Sequence, residues 1–292
     1  MFDYGTLREL WWLLLGVLLI GFAVTDGYDL GLGAIYRFIT RDDVERRMAL
    51  EAIEPHWEGH QVWFILGGGA VFAAWPMLYA ASFSGFYFAM LLVLLALILR
   101  PVGFNFRNKL QNPAWRNAWD WALTVSGAVP ALVFGVAFGN LFLGVPFHLS
   151  ESMLPVYDGS FLGLFHPFAL LAGVVSLSML VMHGAAFAAM KVEGPVGDRA
   201  RLVARVAAVV ALVAFIAGGA WLAVLPGHVI AGTVLPDGPS DPLAKQVTVA
   251  TGAWLGNQQA HPMLWSIPLL AGLALLAGAT LHNRVFGFVA SS

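Results

Sequence analysis

Residues 25–29 read Thr-Asp-Gly-Tyr-Asp and place two carboxylates, Asp26 and Asp29, three positions apart on one helix face. They close a run, 10–25, that holds no charged residue. A carboxylate inside a transmembrane segment costs about 2.5–3.5 kcal/mol on insertion scales, so it is kept mainly where it faces a water-filled path or a partner cation. The chemistry this favours is proton relay, with Thr25 as a neighbouring exchangeable hydroxyl. The plainer alternative ends the helix at Thr25 and leaves the acids in the headgroup layer, capping or pairing with Arg37. A third acid, Glu58, stands in residues 55–63 (PHWEGHQVW), where Pro55 suits a first helical turn and Glu54 and Glu58 suit the positive end of the dipole. A desolvated carboxyl there is a good proton carrier near neutral pH. His56 and His60 share a face that would admit a metal or cofactor ligand, but no third ligand accompanies them and an interfacial polar face is the commoner outcome. Arg100, at the end of a long apolar run, reads plainly as a snorkelling residue at the membrane edge or, more sharply, as an anchor for an anionic carboxylate. His166, His183, His261 and His282 are scattered, and each reads as hydrogen-bonded within a bundle. Gly67, Gly68 and Gly69 lack the lysine and soluble helix of a phosphate loop, so close helix packing explains them better.

The elements that must position these residues follow from composition. Of 292 residues, 59% are hydrophobic and only 11% charged, far below the quarter that keeps a soluble surface wet. The chain is therefore an integral membrane protein, which excludes a cytosolic enzyme and a nucleic-acid binder. With no cysteine, disulfides, thiolate zinc sites, iron–sulfur clusters and thiolate-ligated haem are excluded. The runs without Asp, Glu, Lys or Arg are 10–25, 61–99, 121–150, 159–190, 206–236 and 246–283. A crossing needs about 20 residues, so 61–99 holds two, divided near 81–85, and the others one each. The expected fold is all-α, a polytopic bundle of about seven transmembrane helices: roughly 9–29, 60–80, 84–104, 120–143, 163–190, 203–225 and 262–282. Residues 246–261 are too rich in Gly, Asn and Gln to cross. One integral membrane domain, 1–292, would then comprise a first bundle over about 9–143 and a second, incomplete one over about 160–292.

Charge sets the orientation. Arg37, Arg41, Arg46, Arg47, Arg100, Arg107, Lys109, Arg116, Lys191, Arg199, Arg201, Arg205 and Arg284 fall on one side, and only Arg8 and Lys245 on the other. The richer side is cytoplasmic, so the N-terminus lies outside. Trp11, Trp12, Trp75, Trp254 and Trp265 map to the outer rim, and Trp57, Trp63, Trp115, Trp119 and Trp121 to the inner one. The first run has no basic cluster before it and no small-residue cleavage site after it, so it stays as helix one rather than leaving as a signal peptide. The last residues, 285–292 (VFGFVASS), read as the first half of another helix, as though the sequence were a piece of a longer chain.

Seven blocks in order carry a resemblance: Trp11-Trp12 with Gly16, then 21–31 (GFAVTDGYDLG), 55–63, 72–76 (FAAWP), 100–104 (RPVGF), 115–121 (WRNAWDW) and 135–140 (GVAFGN). Together they strongly resemble subunit II of the cytochrome bd quinol oxidases, including the cyanide-insensitive type, over essentially the whole chain. The resemblance implies a complex in the bacterial cytoplasmic membrane that oxidises quinol and reduces oxygen, generating a proton gradient without pumping. Haem b and haem d, with the quinol-oxidising loop, would be carried by the partner, a haem-bearing subunit I. This chain would hold no catalytic residue of its own and no metal. It would pack against subunit I as a pseudo-symmetric partner, hold a quinone where its homologue holds haems, and supply protons and oxygen to haem d. A small single-helix accessory subunit, quinol, oxygen and membrane lipid complete the implied partners.

Carried over by position, the proton-path residues are Thr25, Asp26, Asp29 and Glu58, and Trp63 is associated with oxygen entry. Arg100, Trp57 and His56 are assigned contacts with haem, such as a propionate, or with the partner. Where some relatives have Asp, this chain has Glu58, which keeps a titratable carboxyl, and Asn105, which does not titrate. The family chain also continues for two more helices. The competing reading from a different class is a proton-coupled secondary transporter, suggested by many glycines, prolines near helix ends and the acidic pair; a purely structural subunit is a third. Against transport stands the lack of Gly/Pro-broken helices at matching midplane positions in two halves.

Overall fold

The computed structural model describes residues 3–233, 235, 237–238 and 245–292. Helix α1 (Tyr4–Ile39) is capped by Asp3, whose side chain accepts from the Thr6 N–H at 2.9 Å. A short amphipathic α2 (Asp43–Glu51) follows, then α3 (Trp57–Ala74), α4 (Pro76–Gly85), α5 (Tyr87–Phe106) and α6 (Pro113–Leu143). The second half holds α7 (Pro167–Lys191), α8 (Pro195–Leu222), α9 (Gly256–Ala260), α10 (Ser266–Thr280) and α11 (Arg284–Ser291). Two antiparallel hairpins sit in the loops. β1 (Phe147–Leu149) pairs with β2 (Pro155–Tyr157), and β3 (Pro226–Ala231) pairs with β4 (Gln246–Thr251), with Pro226 opposite Thr251.

Six helices among the described residues are long and apolar enough to cross a bilayer: α1, α5, α6, α7, α8 and the stretch Pro262–Thr280 that contains α10. With α3, whose 18 residues span about 27 Å, they make the expected seven. Several boundaries move. Helix one runs ten residues past its expected end. Helix two stops at Ala74, because Trp75 leaves helical geometry ahead of Pro76; α4 then packs against β2 instead of extending the crossing. The chain turns at Phe86, and Pro55 lies in a turn before α3 instead of inside its first helical turn. Residues 246–261 form β4 and short helices, in line with the expectation that they do not cross. Residues 284–291 are helical and pack on α7 and α10.

The bundle closes around α1, which packs on α3, α6 and α7. Small residues set that geometry. A Cβ on Gly184 of α7 would lie 2.8 Å from the Cα of Gly31, and one on Gly127 of α6 would lie 2.5 Å from the Ala34 nitrogen. The backbones therefore touch, which is how helices gain packing energy in lipid, where hydrophobic driving force between them is absent. Gly68 and Gly69 do not take part: among the described residues, a Cβ on either would meet no atom of another element within 4 Å.

At one end the loops carrying the basic residues meet. Asp120, at the start of α6, is fully buried. It accepts from Arg107 Nε at 2.5 Å, Arg46 Nη1 at 2.8 Å and the Tyr36 hydroxyl at 3.0 Å, with Arg37 Nη1 4.0 Å away. Asp43 joins Arg107 to Arg116, and Glu45 joins Arg199 at 2.6 Å. Arg37 lies over the Trp121 ring at 4.4 Å. Burial by itself would lower the pKa of the Arg107 guanidinium, but hydrogen bonds and charge from Asp120, then Asp43, more than reverse this and raise it. One carboxylate thus binds α1, α2, α5 and α6 together at the end the charge count assigns to the cytoplasm.

Two consequences are measurable in a thermal scan of the detergent-solubilised protein. Gly184→Val forces α7 off α1 and costs about 3 kcal/mol, at the upper end for overpacking; an unchanged midpoint would show that the contact does not hold the helices. Asp120→Asn leaves Arg107 buried without its counter-charge, at about 3–5 kcal/mol, whereas Asp120→Asn with Arg107→Met recovers much of the loss.

Candidate functional site

The acidic pair on α1 lies well inside the bundle. Both carboxylates are about 1% exposed, and α1 continues for ten residues beyond Asp29. At 1.5 Å per residue, Asp29 lies about 12 Å and Asp26 about 16 Å along the axis from Arg37. The helix therefore does not end at Thr25, and neither acid pairs with Arg37, which serves Asp120 instead.

Each acid has a different partner. Asp26 Oδ1 accepts from Arg100 Nη1 at 2.6 Å, and Arg100 is only 3% exposed. Snorkelling to the membrane edge is thus ruled out for Arg100: its guanidinium points inward to a carboxylate of this same chain. The Arg100 guanidinium also lies over the Trp57 ring at 5.9 Å, and its Nη2 is buried with no hydrogen-bond partner among the described residues. Asp29 Oδ2 lies 2.8 Å from His60 Nδ1, while its Oδ1 is buried and has no hydrogen-bond partner among the described residues. Tyr28 is edge-on to the His60 ring at 5.3 Å and stacks on Phe187 at 4.1 Å. The Thr25 hydroxyl donates back to the Gly21 carbonyl at 2.7 Å.

Four helices build this arrangement. The Gly31–Gly184 contact brings α7 against α1, so Phe187 closes one side of Tyr28. The first turn of α3 presents His60, and α5 presents Arg100 before Pro101. His183, on α7, uses both ring nitrogens within the chain, Nε2 toward the Val24 carbonyl at 3.0 Å and Nδ1 toward the Ser291 hydroxyl at 2.8 Å. It is a hydrogen-bonded bundle histidine, as expected.

Not every expected residue joins the pair. Glu58 is exposed; two positions on, His60 is the α3 side chain that meets Asp29. His56 is exposed, and its ring is 6.0 Å from that of His60. Among the described residues no group of three metal-ligating side chains forms. Trp57 is buried at 6%, so it is not an interfacial aromatic. Trp63 is half-buried and packs its ring on Gly21 of α1. Asn105 is exposed and donates to the Pro101 carbonyl at 2.9 Å. The sequence reading missed Asp120 as a buried charge and His60 as the partner of Asp29. The i, i+4 spacing of His60 and His56 drew attention to metal chemistry, while the signal for its true role, a position one helical turn inside α3, needs the neighbouring helix to be seen.

Comparison with known proteins agrees with this architecture. The family described as cytochrome bd terminal oxidase subunit II matches residues 7–292. The "Probable cytochrome oxidase subunit 2" of Haemophilus influenzae is 53% identical over 279 residues, covering 96% of this chain and 74% of that protein. The "Cytochrome bd-I ubiquinol oxidase subunit 2" of Escherichia coli K12 is 50% identical over 296 residues, covering 100% and 78%. The bd oxidase structure from Geobacillus thermodenitrificans superimposes with a TM-score of 0.65 at 15% identity, over 98% of this chain and 80% of that one, a likeness of fold alone. These relatives are oxidase subunits, so the transporter reading is set aside. A subunit II works beside a subunit I in a haem-containing oxidoreductase complex, here multi-pass in the bacterial inner membrane. From the full-length match and the shared fold, this chain belongs to the cytochrome bd terminal oxidase subunit II family and is a subunit of a terminal oxidase.

Proposed function

We propose that this subunit delivers protons from the inner surface toward an oxygen-reducing haem d held by subunit I, along a path with Glu58 at the mouth, Asp29 as its exchanging carboxyl, and Asp26 and Thr25 beside it. The observation that carries this reading is Asp29: a buried carboxylate with one oxygen on an imidazole and the other without a hydrogen-bond partner among the described residues. A carboxylate placed for structure alone would be fully satisfied, as Asp120 is by two arginines and a tyrosine. Asp26 differs, because its tight pair with Arg100 holds it as a fixed charge that orients the path. The unpartnered Nη2 of Arg100 leaves a donor for a water or for a carboxylate such as a haem propionate, and Trp57 and the exposed His56 are the adjoining contacts toward that group or the partner.

Haem b and haem d, carried by subunit I, supply the redox chemistry. The fit favours that division, since His183 has both nitrogens committed within this chain. Ubiquinol and oxygen as substrates, and a gradient made without pumping, follow the relatives' names and the family resemblance. So do a quinone held in this chain and a single-helix accessory subunit. Trp63, packed across Gly21 and half-buried, is the proposed oxygen-entry residue. Residues 1–292 form one membrane domain of two bundles in this reading.

Asp29→Asn in the assembled complex tests it, since amide for carboxyl keeps a hydrogen bond to His60 while abolishing titration. Oxygen consumption should fall by about a hundredfold, the lower range for loss of a proton-transfer group, with the haem spectrum unchanged. Combining it with Glu58→Gln should add little once Asp29 is gone. Wild-type oxygen consumption and charge separation in the double variant would remove the role. Asp26→Asn is a different experiment: stranding Arg100 costs about 3–5 kcal/mol, so loss of assembled complex is expected there.

A further inference from the structure

We infer that His60 is the proton donor to Asp29, a role that rests on the proton-delivery reading above and gives it its immediate chemistry. Asp29 is closed off from water on its own helix, with 1% of its surface exposed. The titratable side chain that touches it is His60, whose Nδ1 lies 2.8 Å from Oδ2. His60 retains about 20% side-chain exposure, one turn into α3 and next to the exposed residues Glu58 and His56. The imidazole therefore spans the step between the wet end of α3 and the dry carboxylate. Glu58 does not make that step in this fold, since it is exposed and His60 holds the place beside Asp29.

The chemistry balances without any other reactant. A proton from water at the inner surface makes the ring an imidazolium. Its Nδ1 proton passes to Asp29 Oδ2, which leaves a neutral carboxylic acid and a neutral ring protonated at Nε2. Rotation of the ring about its Cβ–Cγ bond then turns the basic nitrogen back to water to accept the next proton. Tyr28 lies edge-on at 5.3 Å and does not hydrogen-bond the ring, so it leaves that rotation free of a competing bond. Histidine suits the task because its ring has two nitrogens, so one can take up a proton after the other has given one. The charged and titratable groups that face it are Asp26, Tyr28 and Asp29 from α1, His56 and Glu58 from α3, Arg100 from α5 and His183 from α7.

The test uses the assembled two-subunit oxidase carrying His60→Asn, His60→Gln or Asp29→Asn. Asparagine places an amide nitrogen where Nδ1 sits, which keeps the bond to Asp29 but cannot carry a proton through. Correct assembly is read from an unaltered haem spectrum, and glutamine at 60 gives a second neutral side chain should asparagine fail to assemble. Oxygen consumption should fall roughly tenfold, less than for loss of Asp29 itself because water partly substitutes. Added imidazole should restore it in the His60 variants and do nothing for Asp29→Asn. Wild-type rates at position 60 with a slow Asp29→Asn would overturn the His60 role and leave the Asp29 path standing. A slow His60→Asn without imidazole rescue would reduce His60 to packing. Normal rates in all three variants would sink both readings.

Discussion

A carboxylate below the surface of a bilayer has to find its counter-charge or its proton inside the protein, because hydrocarbon offers neither. Much of this structure can be understood as the answer to that constraint at Asp26, Asp29 and Asp120. Asp26 and Asp120 each take arginine, from α5 and from the α1–α2 and α5–α6 segments, and in doing so lock distant parts of the chain in register. Such pairs add little net stability compared with apolar packing, yet losing one partner is severe. They act as specificity devices: α5 cannot rotate or slide against α1 without leaving two charges buried and unpaired.

Asp29 is handled differently, and that difference carries the functional reading. Its partner is an imidazole, which changes charge near neutral pH, not a guanidinium, which does not. One of its oxygens is left open. Side by side on one helix, the two acids three residues apart thus have separate surroundings, an arginine for Asp26 and an imidazole for Asp29. The environment separates them, since the residue type is the same.

Close backbone contacts make the arrangement possible. Without Gly31 and Gly184 in contact, and Gly127 beneath Ala34, α6 and α7 would stand farther from α1 and the acids would be reached by lipid or water. The glycines are therefore as necessary to the site as the titratable groups. Their role resembles that of small residues at helix crossings in lipid generally, where van der Waals contact replaces the hydrophobic effect as the driving force.

Much of this was legible in the chain itself. The long apolar runs, the loops sharing one side, the acidic pair and its membership of a family all follow from residue types and order, because the cost of placing a residue in lipid is largely a property of that residue and its near neighbours. Asp120 was hidden in a motif of tryptophans at the edge of a charged loop, where an acid is ordinarily solvated. The pairings could not be read off: Asp26 finds Arg100 and Asp29 finds His60 across intervals of 74 and 31 residues. Those partnerships depend on how each helix is rotated about its axis and how near glycine lets two backbones come. Rotation and approach are properties of several segments at once, so the tertiary structure alone decided which acid meets a guanidinium and which an imidazole.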